Sequence, residues 1–125
     1  MHHKIVQSYF EYLQNSDYNN IINLFHQDAI VISPLYGERP ANLFYTALLA
    51  DTQQSQLTLL EIFTNATGTV IAANFVYRWT LSDGTITTFD CVDIFELDEQ
   101  GKIKQLKIIY DTAKTRPIFE NAKAN

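Results

Sequence analysis

Phe89-Asp90-Cys91-Val92-Asp93-Ile94-Phe95-Glu96 is the stretch from which the rest of the chain is read. Side chains on an extended strand alternate between its two faces. Phe89, Cys91, Asp93 and Phe95 therefore share one face, and Asp90, Val92, Ile94 and Glu96 share the other. The same period of two runs through 57–65, 69–81, 85–97 and 103–112, which the pattern predicts as four strands. Thr67-Gly68, Ser82-Asp83-Gly84 and Glu99-Gln100-Gly101 lie between them and suit tight connections. The result is a meander of long strands, which in a chain of 125 residues must twist and bend and so present a concave side.

Upstream the period changes to that of a helix. Ile5, Val6, Tyr9, Phe10 and Leu13 recur at helical spacing and predict a helix over 4–14. Asn15-Ser16-Asp17 interrupts it and offers a cap for a second helix over 17–26, aligned by Ile21, Ile22, Leu24 and Phe25. Ala29-Ile30-Val31-Ile32-Ser33 is a short β-branched strand stopped by Pro34. Gly37 and Pro40 bracket a loop, and 41–50 predicts a third helix with Pro40 near its first turn. Helices gathered at one end of the sequence and strands at the other indicate an α+β fold. The expectation is one domain over 1–125, with three N-terminal helices packed on a strongly curved antiparallel sheet around an apolar pocket.

Composition narrows the function classes. Hydrophobic residues make up 46% and charged residues 18%, which suits a packed core rather than disorder. A net charge of −5 with scattered basic residues disfavours a nucleic-acid partner. Lys102, Lys104 and Lys107 are the one local concentration and read as a solvated strand edge. Cys91 is the single cysteine, so neither an internal disulfide nor a cysteine zinc cluster is expected. No apolar run approaches the ~20 residues of a membrane span, and Met1-His2-His3-Lys4 leads into an amphipathic pattern with no apolar leader. A cytoplasmic location, no membrane partner and no cofactor or metal are the expectations; no phosphate loop or dinucleotide fingerprint is visible.

Asp93 is the one ionisable group on a face with two phenylalanines and a thiol. Burial there would disfavour its charged form and raise its pKa, leaving a neutral carboxyl able to donate a hydrogen bond. Two alternatives stay open: that this face meets water, or that a basic residue such as Arg78 neutralises Asp93. Phe75, Tyr77, Trp79 and Leu81 also alternate on one face, but the pattern does not say which side of the sheet that is. Some of them could line a cavity; otherwise they read as core or dimer surface, as do Tyr12, Tyr18, Phe25 and Phe63. His26 is placed at the end of the second helix, where a contact with the helix dipole is its simplest role.

Several strings resemble the SnoaL-like branch of the nuclear-transport-factor-2-like (NTF2-like) superfamily, which includes bacterial ketosteroid isomerases. They are Tyr9-Phe10-Glu11-Tyr12-Leu13 followed by Asp17, Ala29 to Pro34, Phe44-Tyr45, Phe89 to Asp93 running on to Ile103, and Ile108-Ile109-Tyr110-Asp111. The resemblance implies a cone-like fold, also called cystatin-like. It implies that Tyr9 and a protonated Asp93 donate to a ligand oxyanion, with Tyr45 supporting Tyr9. Tyr110, Leu106 and Ile108 would line the pocket, together with Val31, Ser33, Phe89 and Cys91.

The departures are informative. Where the isomerases carry an aspartate base before the proline, this chain has Ser33, and a serine cannot take a substrate proton unaided. No Arg-x-Asp occurs, which disfavours the epoxide-hydrolase arrangement, and paired internal histidines of the dehydratase kind are missing. Asp111, the remaining acidic candidate, falls on the face opposite Tyr110 and reads as structural, pairing with Arg116. The expectation is therefore a small-molecule-binding domain holding a hydrophobic ligand. The alternative is an isomerase, cyclase or dehydratase that acts on a small hydrophobic carbonyl compound by oxyanion stabilisation. A blander possibility is a pocket filled by its own side chains. Val92 and Ile94, on the outer face, suggest a homodimer paired through the sheet, as in similar proteins.

Overall fold

The computed structural model describes residues 3–124, so Met1, His2 and Asn125 of the expected 1–125 domain lie outside the described residues. The chain runs α1 (His3–Gln14), α2 (Tyr18–Asn23), β1 (Phe25–Ser33), β2 (Gly37–Pro40), α3 (Ala41–Ala50), β3 (Thr52–Thr64), β4 (Val70–Leu81), β5 (Ile86–Leu97), β6 (Ile103–Ile109) and α4 (Thr115–Ala124). The six strands form one sheet in the order β2-β1-β6-β5-β4-β3. All neighbours are antiparallel except β1 and β6, which run parallel. Interruptions of register within β3 and β1 bend the sheet so that its concave face wraps the core. The expected α+β architecture is what the chain adopts, with one parallel pair inside an otherwise antiparallel sheet.

Helix α1 buries the stripe its spacing foretold: Val6, Tyr9, Phe10 and Leu13 all face the core. Asp17 caps α2 by accepting from the Asn20 amide at 3.3 Å. Pro40 precedes α3 with an extended backbone, and Phe44, Tyr45 and Leu48 turn inward from that helix. On the sheet, Ile71, Ala73, Phe75, Tyr77, Trp79 and Leu81 of β4 form one buried row. Cys91, Asp93 and Phe95 of β5 form the next.

Four expectations about elements need correction. The second helix does not reach residue 26. It ends at Asn23 because the Leu24 carbonyl accepts the Ile103 amide at 2.9 Å and Phe25 pairs with Ile103, drawing the chain into the sheet. His26 is therefore a strand residue, and its Nδ1 accepts the Asp28 amide at 3.0 Å rather than meeting a helix end. The loop at Gly37–Pro40 is a short edge strand, where Pro40 loses no ladder bond. Lys104 and Lys107 are exposed on β6, which is interior to the sheet, not on an edge.

The last strand stops at Ile109, and a fourth helix follows that the sequence reading did not foresee. Ile118, Phe119 and Ala122 give it an apolar stripe one turn long, too brief to stand out beside the strand signal before it. Asp111 does not pair with Arg116. Its carboxylate accepts the Ala113 amide at 2.9 Å, while Arg116 Nη2 donates to the Pro34 carbonyl at 2.8 Å.

Candidate functional site

Asp93 sits at the middle of β5, between Ala73 of β4 and Ile108 of β6 on the concave face. The side chain is 2% exposed, and among the described residues no cation pairs with it. Arg78 points the other way and binds Gln56 at 2.9 Å, so it does not neutralise the acid. Among the described residues the one hydrogen bond to the Asp93 side chain comes from the Cys91 thiol, a weak donor at 3.6 Å. Burial lifts the Asp93 pKa to about 8, against a small opposing effect of that thiol. Burial therefore favours the neutral acid over the carboxylate.

Tyr9 reaches the same space from α1. Its hydroxyl lies 2.6 Å from that of Tyr45, both side chains fully enclosed. Either oxygen could donate in that pair, but only Tyr9 borders open space. If Tyr9 gave its hydrogen to Tyr45, the Tyr45 hydrogen would be buried with no acceptor, an arrangement costing about 1–3 kcal/mol. With Tyr45 as the donor, the Tyr9 hydrogen is left free to turn into the cavity. Burial first, then the charges of Tyr45 and Asp93, pushes the Tyr9 pKa well above its ordinary value, so it remains a donor.

Between these groups lies a cavity of about 30 Å³, room for roughly one or two water molecules. Aromatic faces dominate its wall: Tyr36, Phe44, Phe75, Tyr77, Trp79, Phe89 and Tyr110. Their polar tips are engaged elsewhere where the structure gives them partners. Tyr77 pairs with Ser55 at 2.7 Å, and Trp79 Nε1 donates to Thr52 at 2.8 Å. Phe89 and Tyr110 stack face to face with centroids 4.0 Å apart. The lining is thus mostly aromatic, with the polar groups of Tyr9, Ser33 and Asp93 bordering the same space.

Ser33 is tied into the backbone. Its Oγ accepts the amides of Leu35 and Tyr36 at 3.2 and 3.3 Å, capping the turn that carries Tyr36. Its lone pairs are directed at those amides and away from the role of a base.

Of the residues expected to form the site, Tyr9, Ser33, Phe89, Cys91, Asp93, Ile108 and Tyr110 come together around the cavity. Val31, Tyr45 and Leu106 do not border it. Val31 and Leu106 are register partners on the parallel pair β1/β6 and are packed solid, while Tyr45 stands behind Tyr9. Phe75, Tyr77 and Trp79, for which the sequence left open a place in the core, on a dimer surface or along the cavity, are wall residues. Their alternation was visible, but the side of the sheet was not. Tyr36 carried no sequence signal, and Phe44 stood only in the Phe44-Tyr45 string of the family resemblance, without a role in the pocket. Among the described residues no group of three or more His, Cys, Asp or Glu side chains could hold a metal ion.

A family model described as the SnoaL-like domain matches residues 6–106. The chain belongs to the SnoaL-like domain family. Solved structures similar to this SnoaL-like domain include an NTF2-like protein of unknown function from Burkholderia pseudomallei K96243. It is 16% identical, with a TM-score of 0.81 over 94% of this chain and 96% of that one. The Δ5-3-ketosteroid isomerase from Mycobacterium sp. is 21% identical, with a TM-score of 0.75 over 86% and 91%. The epoxide hydrolase/cyclase-like enzyme SalBIII, of pyran ring formation in the polyether salinomycin, is 19% identical, with a TM-score of 0.75 over 88% and 90%. Identities this low establish a shared fold alone. None of the curated proteins compared matches this SnoaL-like domain in sequence. Among the described residues no helix is long and apolar enough to cross a membrane.

Proposed function

We propose that this SnoaL-like domain binds a small, mostly apolar molecule through one carbonyl or other acceptor oxygen, held by hydrogen bonds from Tyr9 and protonated Asp93. What supports this reading is that Tyr9 and Asp93 border one otherwise aromatic cavity, with burial favouring the neutral form of Asp93. A buried carboxyl without a cation is costly to the fold. A ligand acceptor, unlike water in bulk, would use its hydrogen in a dry setting where the bond is strong. The aromatic wall favours a flat or cyclic ligand, and the acceptor-only requirement favours a ketone, ester or quinone oxygen over an amine.

2-Acetylnaphthalene provides both features, and its binding can be followed by the fluorescence of Trp79 in the wall. The reading requires saturable quenching that is lost in Tyr9→Phe/Asp93→Leu. A linear, unsaturable response in the parent protein would refute it.

A second reading is catalytic: isomerisation, cyclisation or dehydration of a small carbonyl compound. Its support is that an acid with a pKa of about 8 is well matched to proton transfer near neutrality. Ketosteroid isomerase chemistry of the usual kind is disfavoured by Ser33, whose Oγ is committed to backbone amides. Turnover would then rest on oxyanion stabilisation by Tyr9 and Asp93, with water as the proton carrier.

The homodimer belongs to the same proposal. Phe63, 59% exposed, lies in one row with Ala72 and Ile94 on the outer sheet face, beside Val92 and Ile109, 44% exposed. Such an apolar strip on a sheet suits a twofold contact with a second copy. Sedimentation equilibrium giving only the monomer mass across the accessible concentration range would remove it.

A further inference from the structure

The family match ends at residue 106, yet the chain goes on into α4, and that helix rests against the outer side of the cavity wall. Phe119 stacks on Trp79 with centroids 6.0 Å apart and meets Tyr36 edge-on at 5.3 Å. Both of those partners face the cavity on their other side. Tyr36 also donates through its hydroxyl to Asp51 at 2.7 Å, and the other oxygen of Asp51 accepts from Lys123 of α4 at 3.0 Å. Arg116 binds the carbonyl of Pro34, the first residue of the turn that carries Tyr36. Three separate contacts from α4 therefore converge on one wall residue and its turn.

The helix is anchored at its start, where the buried Thr115 hydroxyl lies 2.8 Å from that of Thr87 on β5, and is thinly buried beyond that point. Within it only Thr115 and Ala122 are buried, and Lys123 is 55% exposed. A ten-residue helix is marginal in water without docking. Units with few buried contacts open at a fraction of the cost of global unfolding. Tyr36 leads into β2, an edge strand exposed at all four positions, so the turn has room to move outward once released. Against this stands a cavity of about 30 Å³, too small for any ligand beyond a water or two.

We infer that α4 is a detachable brace on the Tyr36 wall: docked, it keeps the cavity closed, and undocked, it frees Tyr36 and admits a ligand. The inference rests on the ligand-binding reading above, but the motion is measurable with no ligand present. Cys91, the only cysteine, lines the cavity and is 1% exposed, so its reaction with 4,4′-dithiodipyridine reports opening. In the full chain, Lys123→Ala removes a half-exposed ion pair and should speed labelling about threefold. Phe119→Ala should speed it about tenfold or more. Ile21→Val, in the buried core of α2, should lower the urea midpoint and leave the labelling rate where it was.

Rates that follow urea stability across all three variants would overturn the brace, because opening would then be global. So would α4 variants that label at the parent rate. Should Phe119→Ala fail to fold, Lys123→Ala against Ile21→Val still decides the matter. Faster labelling in the α4 variants with no 2-acetylnaphthalene binding would uphold the brace and count against the ligand reading alone.

Discussion

Replacing Asp93 with asparagine should make the protein more stable at neutral and alkaline pH, although it alters a buried polar group. In the folded chain the Asp93 pKa is about 8, against an ordinary value of 3.8. Below pH ~4 the carboxyl is protonated in both folded and unfolded chains and contributes nothing to pH dependence. Between ~4 and ~8 only the unfolded chain releases the proton, so stability falls as pH rises. The slope approaches 1.4 kcal/mol per pH unit, roughly 6 kcal/mol across the whole window. The amide introduced by Asp93→Asn cannot ionise and escapes that loss. Its own cost, one donor exchanged for an amide in a confined space, is about 1–3 kcal/mol and independent of pH. The variant should therefore be less stable than the parent at pH 4, equal near pH 5–6, and more stable by roughly 3 kcal/mol at pH 8.

Urea unfolding followed through the single tryptophan, Trp79, gives both stabilities at each pH. With a denaturant slope of about 1.5 kcal/mol/M, the difference in midpoint should grow by about 1 M per pH unit within the window. Surface carboxylates titrate alike in both proteins and cancel in the difference. A difference that stays constant from pH 4 to 8 would refute the claim that Asp93 is buried without a partner.

Other consequences can be checked alongside. Tyr9→Phe should weaken 2-acetylnaphthalene binding about tenfold and cost about 1–3 kcal/mol of stability, since the Tyr45 hydroxyl loses its acceptor; titration and urea unfolding read the two effects separately. Affinity for this neutral acceptor should be flat below pH 8 and fall above it as Asp93 ionises, measured by quenching between pH 6 and 10. Ser33→Ala should lower stability by about 1 kcal/mol, because two turn amides lose their acceptor, while leaving the Asp93 titration unmoved. Phe63→Arg on the outer sheet face should shift sedimentation toward the monomer with no change in the circular dichroism of the fold.

The meander and α1 were legible because each has a single strong period. Alternation over β4 and β5 is nearly unbroken, and α1 carries one stripe. The early end of α2 was not legible, since Leu24 and Phe25 continue its helical spacing and only the distant Ile103 draws them into the sheet. The same kind of limit applied to the site. Asp93, Cys91 and Phe89 could be grouped from one strand, and Tyr9 joined them through family resemblance. Tyr36 lies on a turn with no period to read, and its place in the wall comes from contacts with Phe44, Asp51 and Phe119 far along the chain. The sequence placed Ser33 in the pocket, but its part in capping the turn needed the amides of Leu35 and Tyr36 in space.

The central claim is that Asp93 is a neutral acid facing a ligand cavity, and carbon-13 NMR of labelled aspartate carboxyls tests it most directly. The account predicts one aspartate that titrates near 8, far from the others, and whose resonance moves on addition of 2-acetylnaphthalene at pH 6.5. All aspartates titrating near ~3.9, with no response to the ketone, would contradict it.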